Sequence, residues 1–212
     1  MKTKKRIPLI ALILAIAICA VCLGGCNNNW GVEKVKKTTP TTTIAGPAST
    51  ELVATNLIEI VVKDFGSIKV ELYREAAPIT VDNFIKLINE KYFDGLTFHR
   101  IIKNFMIQGG QGATELTPIK GEFYSNGWNN PIEHTRGTIS MARTNMVDSA
   151  TSQFFICDAT SPHLDGQYAA FGRVTEGMEV VDSIANTPVT DNNGTVAAAN
   201  QPVIETIKDI TE

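Results

Sequence analysis

Cysteine is scarce in this chain, and most of it lies near the amino terminus. Cys19, Cys22 and Cys26 fall within the first 26 residues, and Cys157 is the one cysteine that follows them. A single cysteine cannot form a disulfide within its own chain, so the part after Cys26 is expected to fold without one. Cys157 lies in an apolar run with no basic neighbour, which favours a small buried side chain over a thiolate nucleophile.

Residues and motifs typical of metal sites, nucleophilic catalysis, phosphate binding and nucleic-acid binding are also sparse. The three histidines are far apart and lack the spacing of metal ligands: His99, His134 and His163. No Gly-x-Ser-x-Gly turn is present, and the glycine-rich residues 109–112 lack the Lys-Ser/Thr of a phosphate loop. Lys and Arg number 19 against 22 Asp and Glu, so no basic excess indicates nucleic acid. We therefore expect no metal, no cofactor and no nucleic-acid partner.

The amino terminus has the pattern of an export signal. Four basic residues between positions 2 and 6 precede an apolar run of 15 residues, 9–23, which is short for a membrane span of about 20 residues. Residues 23–26, Leu-Gly-Gly-Cys, resemble the bacterial lipobox. This resemblance implies that residues 1–25 are a signal peptide and that the mature chain begins at a lipid-bearing Cys26. An ordinary signal peptide and an uncleaved anchor are the alternatives.

Residues 26–56 are expected to form a flexible tether. The segment carries Lys-Val-Lys-Lys at 34–37 and a Thr/Pro-rich run at 38–43. It has too few large apolar residues to order itself. A coil of this length spans roughly 30 Å on average and about 100 Å when extended. The tether would lift a domain away from a membrane surface.

Residues 57–212 have the length of one domain and the pattern of many short strands with two helices. A hairpin is predicted from 57–62 and 68–72. The predicted helices are 79–89, with Thr80 as its N-cap, and 176–186. The other expected strands are two within 98–110 and one each at 137–142, 152–157, 169–174 and 202–210. This pattern predicts a mainly β fold, a closed β-barrel capped by two α-helices.

One Arg and one Gln interrupt the apolar stretch 98–110. Arg100 either forms a structural ion pair at the rim of the barrel or lines a partly open apolar groove, because charged side chains are seldom buried alone. Gly109 and Gly110 indicate a tight backbone or the close approach of a ligand. A second apolar block, 152–157, begins with a polar residue, Gln153.

These blocks, in order and spacing, resemble the cyclophilin signature. The residues that carry the resemblance are Phe98-His99-Arg100-Ile101-Ile102-x-x-Phe105-Met106-Ile107-Gln108-Gly109-Gly110, Ser140-Met141-Ala142, Ser152-Gln153-Phe154-Phe155-Ile156 and Phe171-Gly172. The likeness covers residues 57–212. It implies a peptidyl-prolyl cis–trans isomerase that binds proline-containing polypeptides and needs no cofactor. The implied fold is an eight-stranded antiparallel barrel with a helix over each end.

The resemblance also implies roles for individual residues. Arg100 would donate a hydrogen bond to the prolyl nitrogen, and Gln108 would bind a substrate carbonyl. The proline ring would be held by Phe105, Met106, Phe155 and Leu164. Ala142 and Arg143 would border the groove with backbone contacts, and Gln153 would support its floor. Phe105 and Phe155 could instead be ordinary core aromatics, Gln153 could be purely structural, and His99 and His134 are expected to be structural.

Two positions depart from the best-studied cyclophilins. His163 stands where those proteins have Trp, and Tyr168 stands where they have a pocket His. The first departure argues against tight binding of cyclosporin. The second is expected to keep the pocket, because Tyr has an apolar ring and a polar tip.

Three functions compete at this stage. The first is a lipid-anchored, monomeric isomerase of exported proteins that faces outward from the cell membrane. The second is a binding or chaperone module for proline-containing segments. The third is a scaffold lipoprotein with a vestigial pocket, against which the intact Arg100, Phe105, Gln108 and Phe155 argue.

Overall fold

The computed structural model describes residues 52–212. The expected signal peptide, the expected lipid on Cys26 and nearly all of the tether lie outside the described residues. No helix within residues 52–212 is long and apolar enough to cross a membrane.

Eight strands and two helices follow each other along the described chain. The strands are β1 Asn56–Val62, β2 Gly66–Leu72, β3 Phe98–Ile102, β4 Met106–Gly109, β5 Thr138–Met141, β6 Phe154–Cys157, β7 Ala170–Glu176 and β8 Ile204–Asp209. The helices are α1 Pro78–Asn89 and α2 Met178–Ala185. Three single 3₁₀ turns lie at Tyr124–Asn126, Pro162–Leu164 and Ala198–Asn200.

All eight strands belong to one antiparallel sheet in the order β3-β4-β6-β5-β7-β2-β1-β8. In most of β1 and β2 every second residue is buried, as the strict alternation of apolar and polar residues along 68–72 indicates for β2. Ile58 pairs with Val70 and Ile60 with Ile68, so both strands present their apolar side chains to the same core. The predicted hairpin is therefore present.

The sheet is curled and open, so the prediction of a closed barrel was wrong. Its end strands, β3 and β8, meet only briefly, where residues 95–98 exchange backbone hydrogen bonds with residues 202–204. Further along β3, residues 99–101 bond instead to residues 194–196 of the loop before β8. Because that loop occupies the outer edge of β3, β8 cannot pair along it and the ring of strands does not close.

Helix α1 begins differently from the prediction. Ala77 is its N-cap and makes no side-chain capping bond, and the hydroxyl of Thr80 is buried without a hydrogen-bond partner among the described residues. The carboxylate of Glu122, a fully buried residue, accepts from the amides of Ile79 at 2.9 Å and Thr80 at 2.8 Å. A distant carboxylate thus satisfies the free N–H groups of the first turn.

Helix α2 is shorter than the predicted 176–186. Glu176 is the last residue of β7, and Gly177 separates strand from helix with a φ of +87°. A Cβ at this position would lie 2.3 Å from the carbonyl oxygen of Ser67. The chain can therefore turn from β7 into α2 here because the residue is glycine.

The alternation of side chains along β4 and β6 separates the core from a second apolar cluster. One face of these strands contributes to the main core with Ile107, Phe154 and Ile156. The opposite face carries a small apolar cluster of Met106, Phe155 and Cys157. Leu164 belongs to the same cluster. Gln108 pairs with Phe155 across the two strands. This second face is the one on which the site lies.

Candidate functional site

A small pocket of about 60 Å³ lies over the second face of β4 and β6. Seven side chains line it, and all seven were predicted as site residues: Arg100, Phe105, Met106, Gln108, Phe155, Leu164 and Tyr168. Larger surface hollows of about 430 and 420 Å³ include none of these side chains. The pocket is therefore distinguished by its residues and not by its size.

Arg100 is held at the pocket by neutral partners. Its Nε donates to the carbonyl of Asn193 at 2.9 Å, and its Nη1 donates to Oε1 of Gln108 at 3.2 Å and lies 3.9 Å from the sulfur of Met106. Its Nη2 makes no hydrogen bond to the described part of the chain, and Arg100 takes part in none of the ion pairs found there. Arg100 therefore lines an apolar pocket and does not form a structural ion pair with another described residue.

A second amide orients Gln108. Its Nε2 donates to Oε1 of Gln153 at 3.0 Å, which turns its own Oε1 toward Arg100. Gln153 does not line the pocket, but its backbone carbonyl accepts from the amide of Ala142 at 2.9 Å. The three polar side chains therefore form a chain from Gln153 through Gln108 to Arg100.

Aromatic rings form the walls of the pocket. The ring of Phe155 meets that of Tyr168 edge to face, with centroids 5.8 Å apart. Phe105 follows Asn104, whose φ is +61° and whose amide donates to Oδ2 of Asp158 at 2.6 Å. This turn between β3 and β4 fixes the position of the Phe105 ring at the edge of the pocket.

The remaining predicted residues surround the pocket without lining it. Ala142 packs against the apolar cluster, and the exposed His163 lies against Phe105 with centroids 5.3 Å apart. The guanidinium of Arg143 stands over the ring of Tyr168, 4.7 Å from its centroid. The prediction gave Arg143 only backbone contacts, so the position of this side chain is a new observation.

Sequence reasoning missed the loop that holds Arg100. The side chain of Asp191 accepts from the amides of Asn193 at 2.9 Å and Thr195 at 3.1 Å, and these bonds lower the pKa of the exposed carboxyl. They order the turn that aims the carbonyl of Asn193 at Arg100. Asp191-Asn192-Asn193-Gly194 has the composition of a turn, but nothing in it indicates a contact with a residue 93 positions away.

His134 supports the floor of the pocket from behind. It is 1% exposed; its Nδ1 lies 2.9 Å from Oδ1 of Asp165 and its Nε2 lies 3.1 Å from Oγ of Ser140. Burial lowers the pKa of His134, although the bond to Asp165 opposes this. The neutral ring can donate to Asp165 and accept from Ser140, so both of its nitrogens are satisfied.

Cys157 lies in the same apolar cluster and is unsuited to nucleophilic chemistry. Burial raises the pKa of its thiol to about 12, which keeps it protonated near neutral pH. Among residues 52–212, no three His, Cys, Asp or Glu side chains are grouped as metal ligands would be. What the arrangement offers is one cation and one amide beside an apolar pocket.

A family model described as cyclophilin type peptidyl-prolyl cis-trans isomerase/CLD matches residues 57–208. This chain therefore belongs to the cyclophilin-type peptidyl-prolyl cis–trans isomerase family.

Curated relatives and solved structures agree with this placement. A peptidyl-prolyl cis-trans isomerase of Acinetobacter baylyi is 44% identical over 151 residues, which cover 66% of this chain and 78% of the relative. Peptidyl-prolyl cis-trans isomerase B of Bacillus subtilis is 44% identical over 127 residues, 58% of this chain and 87% of the relative. A Cryptosporidium parvum cyclophilin crystallised in the presence of the dipeptide Ala-Pro is similar with a TM-score of 0.64 and 26% identity, covering 74% of this chain and 99% of that one.

Proposed function

We propose that this chain is a peptidyl-prolyl cis–trans isomerase that acts on exported polypeptides and is tethered to a bacterial membrane by lipid on Cys26. Membership in the isomerase family supports the activity. The observation that carries the mechanism is the geometry of Arg100, whose Nη2 has no partner in the described chain and whose side chain borders an apolar pocket.

To accelerate the reaction, the enzyme must stabilise the twisted state of the X–Pro peptide bond more than the planar state. Rotation about a peptide C–N bond meets a barrier of about 18–20 kcal/mol because of amide resonance, and X–Pro bonds isomerise in tens to hundreds of seconds. As the bond twists, the lone pair localises on the prolyl nitrogen and becomes a hydrogen-bond acceptor. A donor that meets this nitrogen stabilises the twisted state more than the planar one, and so accelerates rotation.

Arg100 is arranged to be this donor. Its guanidinium remains charged at any physiological pH, and its bonds to Asn193 and Gln108 hold the planar group before substrate arrives. A donor that is already oriented needs no rearrangement during the reaction. No proton transfer or covalent intermediate is required.

The other pocket residues place the substrate. Phe105, Met106, Phe155 and Leu164 together offer an apolar surface for the proline ring. Gln108 uses one N–H of its amide for Gln153 and keeps the second for a substrate carbonyl. We also propose that the isomerase acts as a monomer, since one chain supplies all seven side chains that line the pocket.

The place of action is inferred from the sequence alone. Residues 23–26 match a lipobox, and residues 26–56 have the composition of a tether. A lipid on Cys26 would hold the isomerase at the surface where exported chains emerge and fold. X–Pro isomerisation is slow enough to limit the folding of such chains.

Replacing Arg100 tests the activity. In a protease-coupled assay of X–Pro isomerisation with the purified chain from residue 52 onward, Arg100→Ala should lower kcat/KM by roughly 10²–10³, the usual contribution of one positioned transition-state donor. Arg173→Ala, which removes an exposed arginine of β7, is the matched control and should act like the parent. If the kcat/KM of Arg100→Ala lies within about twofold of the parent value, Arg100 does not have the proposed role. A parent protein that binds Ala-Pro peptides without accelerating their isomerisation would instead be a binding module.

A further inference from the structure

A second arginine stands beside the pocket and has no acidic partner. Arg143 follows Ala142, which packs against the pocket cluster, and its guanidinium lies 4.7 Å from the centroid of the Tyr168 ring and 5.0 Å from that of Phe123. Arg143 takes part in none of the ion pairs found among residues 52–212. Its charge is therefore not neutralised by a neighbouring carboxylate.

The position of this charge is fixed by the surrounding backbone. Nε and Nη2 of Arg143 donate to the carbonyl of Gln167 at 3.0 and 2.8 Å, and Nη1 donates to the carbonyl of Thr144 at 2.9 Å. Two aromatic faces and two carbonyls hold one guanidinium, so little side-chain entropy remains to be lost when a ligand arrives. The side chain is only partly buried, which leaves it accessible to a bound peptide.

The acidic residues of the loops that meet at Arg143 are engaged elsewhere. Asp148 accepts from the amide of Gly121 at 2.9 Å and from Nδ2 of Asn126 at 2.7 Å. Asp165 accepts from the backbone and the ring of His134. Residues 52–212 contain 12 Lys and Arg against 20 Asp and Glu, a formal net charge of −8. Arg143 and Arg100 are thus two cations beside one pocket on an otherwise acidic domain.

We propose that Arg143 determines specificity and favours substrates with Asp or Glu next to the proline. This inference rests on the proposed function, because it concerns the peptide that occupies the same pocket. A carboxylate near Arg143 would gain a fixed cation whose hydrogen bonds to neutral carbonyls do not cancel its charge. The long-range field of the acidic domain opposes this preference, so the effect is local and depends on this one side chain.

Two pairs of matched proline peptides test the proposal. Each pair differs by Glu or Gln, either directly before or directly after the proline, and isomerisation and peptide affinity are both measured. For native protein, we expect the Glu peptide to exceed its Gln partner by roughly three- to fivefold at one of the two positions, as an exposed ion pair allows. Equal values for Glu and Gln at both positions would overturn the proposal.

Three variants assign the preference to Arg143. Arg143→Gln should reduce the Glu-to-Gln ratio to about one, whatever its overall activity, and Arg143→Lys should retain part of it. Arg173→Gln removes the same charge from the exposed surface of β7 and should keep the full ratio. A ratio that survives Arg143→Gln, or that is lost equally in Arg143→Lys, would overturn the charge-based assignment. If native protein isomerises none of the peptides, the proposed function fails, and the ratio of affinities still decides the specificity of the pocket.

Discussion

The ring of His134 lies behind the pocket floor, stacked on Phe155 with centroids 6.0 Å apart and an angle of 18° between the rings. Both of its nitrogens have partners, and burial lowers the pKa of the imidazole in the folded protein. In the unfolded chain the pKa returns to about 6.5. The folded state therefore binds fewer protons than the unfolded state just below this pH.

This difference predicts a loss of stability in mild acid. When the unfolded state binds more protons, the free energy of unfolding rises with pH. The contribution of His134 should be complete above about pH 6.5 and should decline as the pH falls toward the lowered folded pKa. Urea unfolding at intervals between pH 5 and pH 8 would measure it, and His134→Gln should flatten the dependence. His99, whose pKa is also lowered by burial, would leave a residual slope. Identical slopes in the parent and the variant would contradict this account.

His163 predicts weak inhibition by cyclosporin. The residue is exposed, and its ring lies against that of Phe105 with an angle of 33° between the two rings. An imidazole offers less apolar surface than the indole found here in the best-studied cyclophilins, at about 25 cal/mol per Å² of buried area. His163→Trp should tighten inhibition at least roughly tenfold, about 1.4 kcal/mol, with little change in turnover. Titrations of activity against the drug would show this, and superimposable curves for the two proteins would rule it out.

The residues of the pocket could be located from the sequence, but their partners could not. Arg100, Gln108 and Phe155 lie in short motifs whose order and spacing are visible along the chain. The contacts that orient them are remote: Gln108 meets Gln153 across 45 positions. The guanidinium of Arg143 reaches its ring and carbonyl partners only after the loops have folded together. Periodicity carries no information about such contacts.

At the scale of elements, the first turn of helix α1 is capped by a residue that is remote in sequence. The carboxylate of Glu122 accepts a hydrogen bond from the amide of Thr80, 42 positions earlier. Local pattern favoured Thr80, because hydroxyl residues are common N-caps, but this residue is inside the helix and fully buried. The same limit applies to the open sheet, since no local signal showed that the loop before β8 would occupy the edge of β3. The strands could be predicted from β-rich apolar runs and, for β2, from alternation, whereas closure of the sheet depended on a long-range competition for one edge.

Removing the Glu122 carboxylate should destabilise the domain. Glu122→Ala leaves the amides of the partly exposed Ile79 and the buried Thr80 without their acceptor, and an unsatisfied buried amide costs roughly 1–3 kcal/mol. Chemical unfolding of the purified domain would measure the change. Glu133→Ala, which removes an exposed carboxylate, is the control and should change stability by less than about 0.5 kcal/mol. An equal, small effect of both substitutions would show that Glu122 does not stabilise α1.

At the scale of the whole molecule, the pocket and the core use opposite faces of the same two strands. The main core packs Phe84 against Phe93, Phe154 and Phe171, whereas Met106, Phe155 and Leu164 form a separate cluster. Substitutions at the pocket rim can therefore alter substrate choice without disturbing the aromatic core. Every side chain that lines the pocket lies between residues 100 and 168, so catalysis and anchoring are expected to be separable.

This separation allows the proposed anchor to be tested alone. In a bacterial host, Cys26→Ala should abolish metabolic labelling of the protein with a radioactive fatty acid, because Cys26 is the residue that ends the proposed lipobox. The protein should then leave the membrane fraction while its isomerase activity per molecule is unchanged, since one lipid-bearing residue supplies the predicted attachment. Cys22→Ala, which removes a thiol from the preceding apolar run, should leave labelling intact. Unchanged labelling of Cys26→Ala would disprove the lipobox, and loss of labelling with full membrane retention would point to an uncleaved apolar segment as the anchor.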